Sequence, residues 1–123
     1  MDGDGDQGQY SSLALDGAGN PKISYTGIAA TNLSYIESDD GGDSWMAPII
    51  VDADYPIGTW TSLALDGSGH PRISYYDQDN KNLKYAEYNG SSWSKTTVAY
   101  GGAGSTEFYT SIVLDGEGNP HIA

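Results

Sequence analysis

The chain has 123 residues, a length that suits one small domain. Seventeen acidic residues against five basic ones give a formal net charge of -12, which opposes binding to nucleic acid and insertion into anionic membranes. The chain contains no cysteine, which excludes disulfides and thiolate metal sites, and 37% hydrophobic residues are enough for a packed core.

The N-terminal segment is acidic and rich in glycine. Asp2, Asp4 and Asp6 have the alternate spacing of oxygen ligands in a calcium loop, which makes them a calcium candidate. An EF-hand would require glycine at Gln7 and glutamate at Leu13, and neither is present. The simpler interpretation is an acidic connector over residues 1–9, without the basic and apolar regions of an export signal.

Three segments of the sequence repeat. "YSSLALDGAGNPKISY" starts at Tyr10, "WTSLALDGSGHPRISY" at Trp60 and "YTSIVLDGEGNPHIA" at Tyr109, so the starts are 50 and 49 residues apart. A self-match with this period is typical of supersecondary units that stack on one another.

Each unit is predicted to contain four strands. Residues 13–15, 63–65 and 112–114 are apolar at every position, which predicts an inner strand buried on both faces. An Asp-Gly-x-Gly turn leads to a second strand at 21–25 and 71–75, and a third follows at 33–35 and 83–85. The fourth strand, from Trp45 to Val51, contains Pro48, which only an outer edge strand tolerates.

This pattern predicts an all-β fold of β-propeller blades, each a four-stranded antiparallel sheet. Blade 1 would cover residues 10–59 and blade 2 residues 60–108, and residues 109–123 would be the first half of blade 3. About two and a half blades make an incomplete ring. A β-sandwich is the alternative, but it explains the period poorly.

Residues 38–45 carry a family resemblance. Five residues of this stretch fit the pattern S-x-D-x-G-x-[ST]-W: Ser38, Asp40, Gly42, Ser44 and Trp45. The stretch therefore resembles the Asp-box, or BNR repeat, of sialidase-like propellers. The resemblance implies a turn between the third and fourth strands, in which the aspartate accepts backbone N–H groups and the tryptophan packs the hairpin onto the blade. The second copy retains Gly90, Ser92 and Trp93, with Tyr88 aligned at the aspartate position.

The wider SLALDGxGxPxISY pattern resembles repeats of surface or secreted propeller proteins, which implies an extracellular or cell-surface location. Sialidases bind their substrate carboxylate with three arginines, but this chain contains only Arg72. We therefore assign no catalytic residue and no cofactor, and we expect a protein that is not an enzyme. The carboxylate pairs Asp39/Asp40 and Asp77/Asp79 are better explained as solvated turns than as a glycosidase acid and base.

Tyr10, Trp60 and Tyr109 open equivalent repeats. Packing between neighbouring blades is one interpretation, and an aromatic platform for sugar rings is the other.

An incomplete stack leaves apolar faces open, so we expect either a homo-oligomer, as a closed ring or a filament, or neighbouring blades in a longer chain. The sequence favours a structural or ligand-presenting module. The alternatives are a glycan-binding lectin assembled from several copies and a fragment of a sialidase-like hydrolase.

Overall fold

The computed structural model of the protein describes residues 8–27, 32–54, 57–101 and 109–123. Within these ranges the chain forms ten strands and no helix. The strands are β1 (Gln9–Leu15), β2 (Pro21–Thr26), β3 (Leu33–Glu37), β4 (Ile49–Asp52), β5 (Ile57–Leu65), β6 (Pro71–Asp77), β7 (Asn82–Tyr88), β8 (Trp93–Ala99), β9 (Ile112–Leu114) and β10 (Pro120–Ile122).

The strands form three antiparallel sheets in which neighbours in sequence are neighbours in space. Sheet 1 has the order β1-β2-β3-β4, sheet 2 the order β5-β6-β7-β8, and sheet 3 consists of β9 and β10. The all-β architecture and the four-stranded antiparallel sheets are confirmed. The division into blades at residues 10–59, 60–108 and 109–123 stays a prediction, and most of the connector over residues 1–9 lies outside the described residues.

One turn recurs between the first two strands of every sheet. The Asp16 carboxylate accepts the backbone N–H groups of Ala18 and Asn20, each at 2.9 Å. Asp66 and Asp115 accept the N–H groups of the corresponding residues in sheets 2 and 3. The second glycine of each turn has a φ near +80°, which a residue with a side chain rarely adopts. The repeated Asp-Gly-x-Gly sequence therefore encodes one hairpin three times.

The hydrophobic core lies between sheets 1 and 2. Sheet 1 contributes three buried side chains and sheet 2 contributes four, and together they are Leu33, Tyr35, Val51, Leu63, Ile73, Tyr75 and Ala86. β5 contacts β1, β2 and β3 on one side and β9 on the other, so the inner strand of sheet 2 lies between its neighbours. Burial of these apolar side chains is the main favourable term in packing the two sheets together.

Repeated hydrogen bonds also join the inner strands of adjacent sheets. The Leu63 N–H donates to Ser12 Oγ at 3.0 Å, and the Ile112 N–H donates to Ser62 Oγ at 3.1 Å. Ser12 and Ser62 are equivalent residues of successive repeats, so the same hydrogen bond forms at both interfaces.

A second repeated bond uses the threonine that precedes the equivalent serine in the later sheet. Thr61 Oγ1 donates to the Tyr10 carbonyl and Thr110 Oγ1 donates to the Trp60 carbonyl, both at 2.9 Å. Each threonine also shares a hydrogen bond with a serine of the second strand of the sheet before it. The [YW]-[ST]-S-[LI] stretch that opens each repeat therefore forms the inter-sheet contact. The sequence suggested packing between neighbouring units for its aromatic residue, but not the hydrogen bonds of its serine and threonine.

The predicted burial of the inner strands on both faces is wrong for sheets 1 and 3, and in sheet 2 it holds in part, because Leu63 is buried while Ala64 and Leu65 are half-buried. Leu63 of β5 is 7% exposed, whereas its equivalent in β1, Leu13, is 62% exposed, as is Leu15. The difference arises because sheet 1 packs against the face of β5 that carries Leu63, while no described sheet packs against the corresponding face of β1. Val113 of β9 is also 62% exposed.

The fourth strand of sheet 1 begins later than predicted. β4 begins at Ile49 rather than Trp45, although its equivalent β8 begins at Trp93. The Met46 N–H still donates to the Glu37 carbonyl of β3 at 2.9 Å, but Pro48 has no N–H with which to continue a ladder, so regular pairing resumes at Ile49. β4 is nevertheless the outer strand, as predicted.

A buried carboxylate links the outer part of sheet 1 to sheet 2. The Asp52 side chain is fully buried and accepts hydrogen bonds from Lys84 Nζ and Lys95 Nζ at 2.8 Å and from the Tyr75 hydroxyl at 2.7 Å. Burial opposes ionisation of Asp52, but these donors outweigh it and lower its pKa to about 2. The carboxylate is therefore ionised in the folded protein.

We expect Asp52→Asn to lower the free energy of unfolding by about 3 kcal/mol at neutral pH. This is the low end for a broken buried ion pair, because Lys95 remains partly in solvent. Since the pKa of Asp52 is depressed on folding, the advantage of the wild type is present above its ordinary value of 3.8 and is lost as the pH falls towards about 2. Urea unfolding of both proteins across that range measures the difference. Asp79→Asn is the control, because Asp79 is exposed and lies in a separate turn that does not contact Asp52 or its lysines. An unchanged difference down to pH 2 would contradict the assignment.

Candidate functional site

The structure brings the three repeat-opening aromatic residues into one row. The ring centroids of Tyr10 and Trp60 are 4.8 Å apart, and those of Trp60 and Tyr109 are 5.8 Å apart. Tyr76 contacts the Trp60 ring from within sheet 2 at 5.9 Å. Trp60 is therefore the central, partly buried ring, with one tyrosine on either side.

The backbone is strained where two of these rings are attached. Tyr10 has a φ of +52° and Trp60 a φ of +47°, in the left-handed region that bulky residues rarely adopt. At both positions the pairing between the first two strands of the sheet shifts register. An irregularity of this kind redirects a side chain out of the regular alternation of a strand, and strain of this kind is concentrated at functional sites.

The row lines an open cleft of about 200 Å³. Besides the three rings, the cleft is lined by hydroxyl side chains, Ser11, Thr61 and Thr110. Tyr109 is 77% exposed and Tyr10 is 41% exposed, so aromatic surface is open to solvent at both ends of the row. The hydroxyls of Thr61 and Thr110 already bond between the sheets, whereas Ser11 is exposed. Flat apolar faces next to an exposed hydroxyl residue suit a ligand that has both apolar and hydroxylated surfaces.

A second repeated feature is an ion-paired cluster on each four-stranded sheet. In sheet 1, Glu37 accepts hydrogen bonds from Lys22 Nζ at 2.6 Å and from the Tyr35 hydroxyl at 2.7 Å. The Tyr35 ring in turn contacts Trp93 of sheet 2 at 5.5 Å. Burial opposes ionisation of Glu37, but the Lys22 and Tyr35 hydrogen bonds outweigh it and lower its pKa.

In sheet 2 the equivalent cluster contains the single arginine. Arg72 bonds to Asp66 at 2.9 Å and also to Glu87, which accepts the Tyr85 hydroxyl at 3.0 Å. Burial and the bond to Glu87 raise the pKa of Tyr85 to about 12. The Nε atom of Arg72 is buried without a hydrogen-bond partner in the described structure. Neither cluster was predicted from the sequence. The available signal was the repeated charge pattern, because Lys22 and Arg72 occupy equivalent positions, as do Glu37 and Glu87.

The stretch that resembles the Asp-box forms a turn held by its own side chains. The Asp40 carboxylate accepts the Ser44 N–H at 2.8 Å, the Ser38 hydroxyl at 2.7 Å and the Ser44 hydroxyl. Ser38 Oγ accepts the Gly42 N–H at 2.9 Å. The hydrogen bonds from Ser44, then the one from Ser38, lower the pKa of Asp40. Trp45 is partly exposed at the end of this turn.

The alignment of Tyr88 with Asp40 is wrong. Lys22 pairs with Glu37 between β2 and β3, and Arg72 pairs with Glu87 between β6 and β7, so Tyr88 corresponds to Ser38. The two missing residues of the second copy therefore lie within the turn. There Asn89 Oδ1 accepts the N–H groups of Ser91 and Ser92, each at 2.9 Å, which closes a shorter turn.

Other titratable residues lie in separate turns. His70 is next to Asp66 and His121 is next to Asp115, each at 3.5 Å in its own sheet. Asp77 accepts the N–H groups of Asp79 and Asn80 within one turn. Among residues 8–27, 32–54, 57–101 and 109–123, no group of three or more His, Cys, Asp or Glu residues could hold a metal ion. The calcium candidate Asp2, Asp4 and Asp6 lies outside these ranges.

Comparison with known proteins finds a similarity in fold among solved structures. No family model and no curated protein matches the sequence. Among solved structures, the chain is similar to a fucose lectin from Kordia zhangzhouensis in complex with methyl-fucoside, with a TM-score of 0.50. The two chains are 20% identical, and the match covers 91% of this chain and 80% of the lectin. At this identity the likeness concerns the fold. In the described part of the chain no helix is long and apolar enough to span a membrane.

We expect Asp40→Ala to lower the melting temperature by about 5 °C, because it removes the acceptor that closes the turn. Asp39→Ala is the matched control: it removes the same charge from the same turn, and Asp39 accepts none of the bonds described above. Thermal unfolding followed by circular dichroism compares the two. Equal effects of both substitutions would show that charge, not the turn geometry, is responsible.

Proposed function

We propose that the protein is a non-catalytic, glycan-binding repeat module of an extracellular or cell-surface protein. The observation that carries this proposal is the solvent-exposed row of Tyr10, Trp60 and Tyr109 in a cleft bordered by hydroxyl groups. The likeness in fold to a fucose lectin supports it. These observations favour the lectin hypothesis over the structural or ligand-presenting module that the sequence favoured.

The chemistry of a pyranose ring suits this cleft. One face of the ring presents C–H groups that pack on an aromatic face, while the hydroxyl groups at its edge donate and accept hydrogen bonds. Each repeat opens with an aromatic residue, so neighbouring contacts are spaced regularly along the cleft. Several weak contacts of this kind on one branched glycan would add up to useful affinity.

The Arg72 cluster is the second candidate contact for a sugar. A guanidinium and a carboxylate close together donate to and accept from adjacent hydroxyl groups, and the Glu87 side chain of this cluster is 41% exposed. The same arginine argues against the sialidase-like alternative, because its charge is already paired with Asp66 and Glu87.

The propeller interpretation belongs to the same proposal. It is supported by two four-stranded sheets whose strands follow in sequence order and which pack together through their inner strands, as consecutive blades would. The module would act beside further blades, supplied by identical chains or by a longer chain.

Glycan-array screening, followed by titration with methyl-fucoside and with the best array ligand, tests the function. We expect Tyr109→Ala to weaken binding about fivefold, because one aromatic contact contributes on the order of 1 kcal/mol. Tyr100→Ala is the matched control, since Tyr100 is 83% exposed and does not line the cleft.

The outcomes also locate the site. Loss of binding in Arg72→Gln but not in Tyr109→Ala would move the site to the ion-paired cluster. No glycan bound by the wild type at millimolar ligand would contradict the proposed function.

A further inference from the structure

We propose that a second copy of this chain docks head to tail on the first through the inner strands. The head surface consists of Ser11, Leu13 and Leu15 of β1, and the tail surface consists of Tyr109, Ser111 and Val113 beside and within β9. This inference goes beyond glycan binding and does not depend on it.

The structure already contains two interfaces of the proposed kind. Between sheets 1 and 2, and again between sheets 2 and 3, a serine Oγ of the earlier sheet accepts an inner-strand N–H of the later sheet. In both interfaces a threonine of the later sheet donates to the carbonyl of the aromatic residue that opens the earlier repeat. The contact between sheets 2 and 3 shows that inner strands alone are sufficient, because β9 packs on β5 and β6.

The head surface is equivalent to a surface that is covered elsewhere in the chain. Leu13 corresponds to Leu63, which is 7% exposed where sheet 1 covers it, whereas Leu13 itself is 62% exposed. Ser11 corresponds to Thr61 and is exposed, whereas Thr61 is buried. The residue types that make the internal interface are thus present on the head surface, with their apolar area in solvent.

The tail surface presents the complementary groups. Ser111 corresponds to Ser12 and Ser62, whose hydroxyl oxygens accept the inter-sheet bonds. Val113 corresponds to Ala14, which packs against the core between sheets 1 and 2, yet Val113 is 62% exposed. The Tyr109 carbonyl corresponds to the Tyr10 and Trp60 carbonyls that accept threonine hydroxyls.

The proposed contacts follow from this equivalence. The Leu13 N–H of one copy donates to Ser111 Oγ of the other, and Ser11 Oγ donates to the Tyr109 carbonyl. Leu13 packs on Val113 across the same interface. Ala123 stands where Ser24 and Ser74 stand in the other units, so the hydroxyl pair of the internal interfaces is not reproduced. A charge of -12 on each copy also opposes association, so we expect it to strengthen with salt.

Sedimentation velocity over a range of protein concentrations tests the proposal. We expect the wild type to self-associate and the two interface variants, Leu13→Asp and Val113→Asp, to remain monomeric. Ile50→Asp is the matched control, because Ile50 is 60% exposed on the outer strand β4, away from the proposed interface. Ser111→Ala should weaken association about two- to tenfold, the effect of one hydrogen bond. Circular dichroism verifies folding, and Leu15→Asp replaces Leu13→Asp if that variant does not fold.

An equimolar mixture of the two interface variants distinguishes head-to-tail docking from other modes. Leu13→Asp retains an intact tail and Val113→Asp retains an intact head, so the mixture should form dimers and nothing larger. A wild type that stays monomeric at all concentrations and salt concentrations would overturn the proposal. So would dimers of Val113→Asp alone, which would indicate head-to-head docking, or dissociation by Ile50→Asp but not by Leu13→Asp.

Discussion

Packing between inner strands organises the whole stack of sheets. Sheet 1 and sheet 3 each pack against β5, so the inner strand of sheet 2 is covered on both sides, and sheets 1 and 3 are each covered on one side among the described residues. The serine and threonine hydroxyls that open each repeat supply donors and acceptors across this contact, so polar backbone groups at the interface are satisfied as the apolar side chains are buried. Removing an unpaired polar group from water would otherwise cancel part of the gain from burial.

This constraint also explains the position of the aromatic row. Tyr10, Trp60 and Tyr109 come directly before the residues that join adjacent sheets, so the inter-sheet contact brings their rings side by side. Tyr10 and Trp60 both have a left-handed backbone conformation, and the carbonyls of both accept threonine hydroxyls of the next sheet. The same residues therefore stabilise the stack and shape the cleft. A sugar-binding surface built in this way would gain one contact with each added sheet.

The outer parts of the sheets are joined differently. Asp52 links β4 to two lysines of sheet 2, and the equivalent position in β8 is Ala99, which has no charge to offer the next sheet. The repeats are thus equivalent at their inner strands and different at their outer strands. Val51 is buried in the core while its counterpart Val98 is exposed, which follows the same division.

The existence of the strands, the turns between the first two strands of each sheet and the length of the unit were predictable from the sequence. Period, glycine position and apolar alternation are local properties, and they specify a hairpin whatever surrounds it. The sequence also identified Tyr10, Trp60 and Tyr109 as a candidate site, because equivalent positions in stacked units come together. Pro48 correctly indicated an edge strand. It did not indicate the first residue of that strand, because the position at which pairing resumes near a proline also depends on the geometry of the preceding turn.

The burial of each strand, in contrast, depends on how the sheets pack together in the folded protein. Leu13 and Leu63 occur in the same SLALDG sequence and differ from 62% to 7% in exposure, so their burial depends on the neighbouring sheet rather than on local sequence. The burial and pairing of Asp52 were not predictable from its local sequence, because the two lysines that bond to it are more than thirty residues away. Strand formation depends on local backbone preference, whereas burial and ion pairing depend on contacts between residues distant in sequence. A repeat pattern shows which residues are equivalent, but it does not show which of them a neighbouring sheet covers.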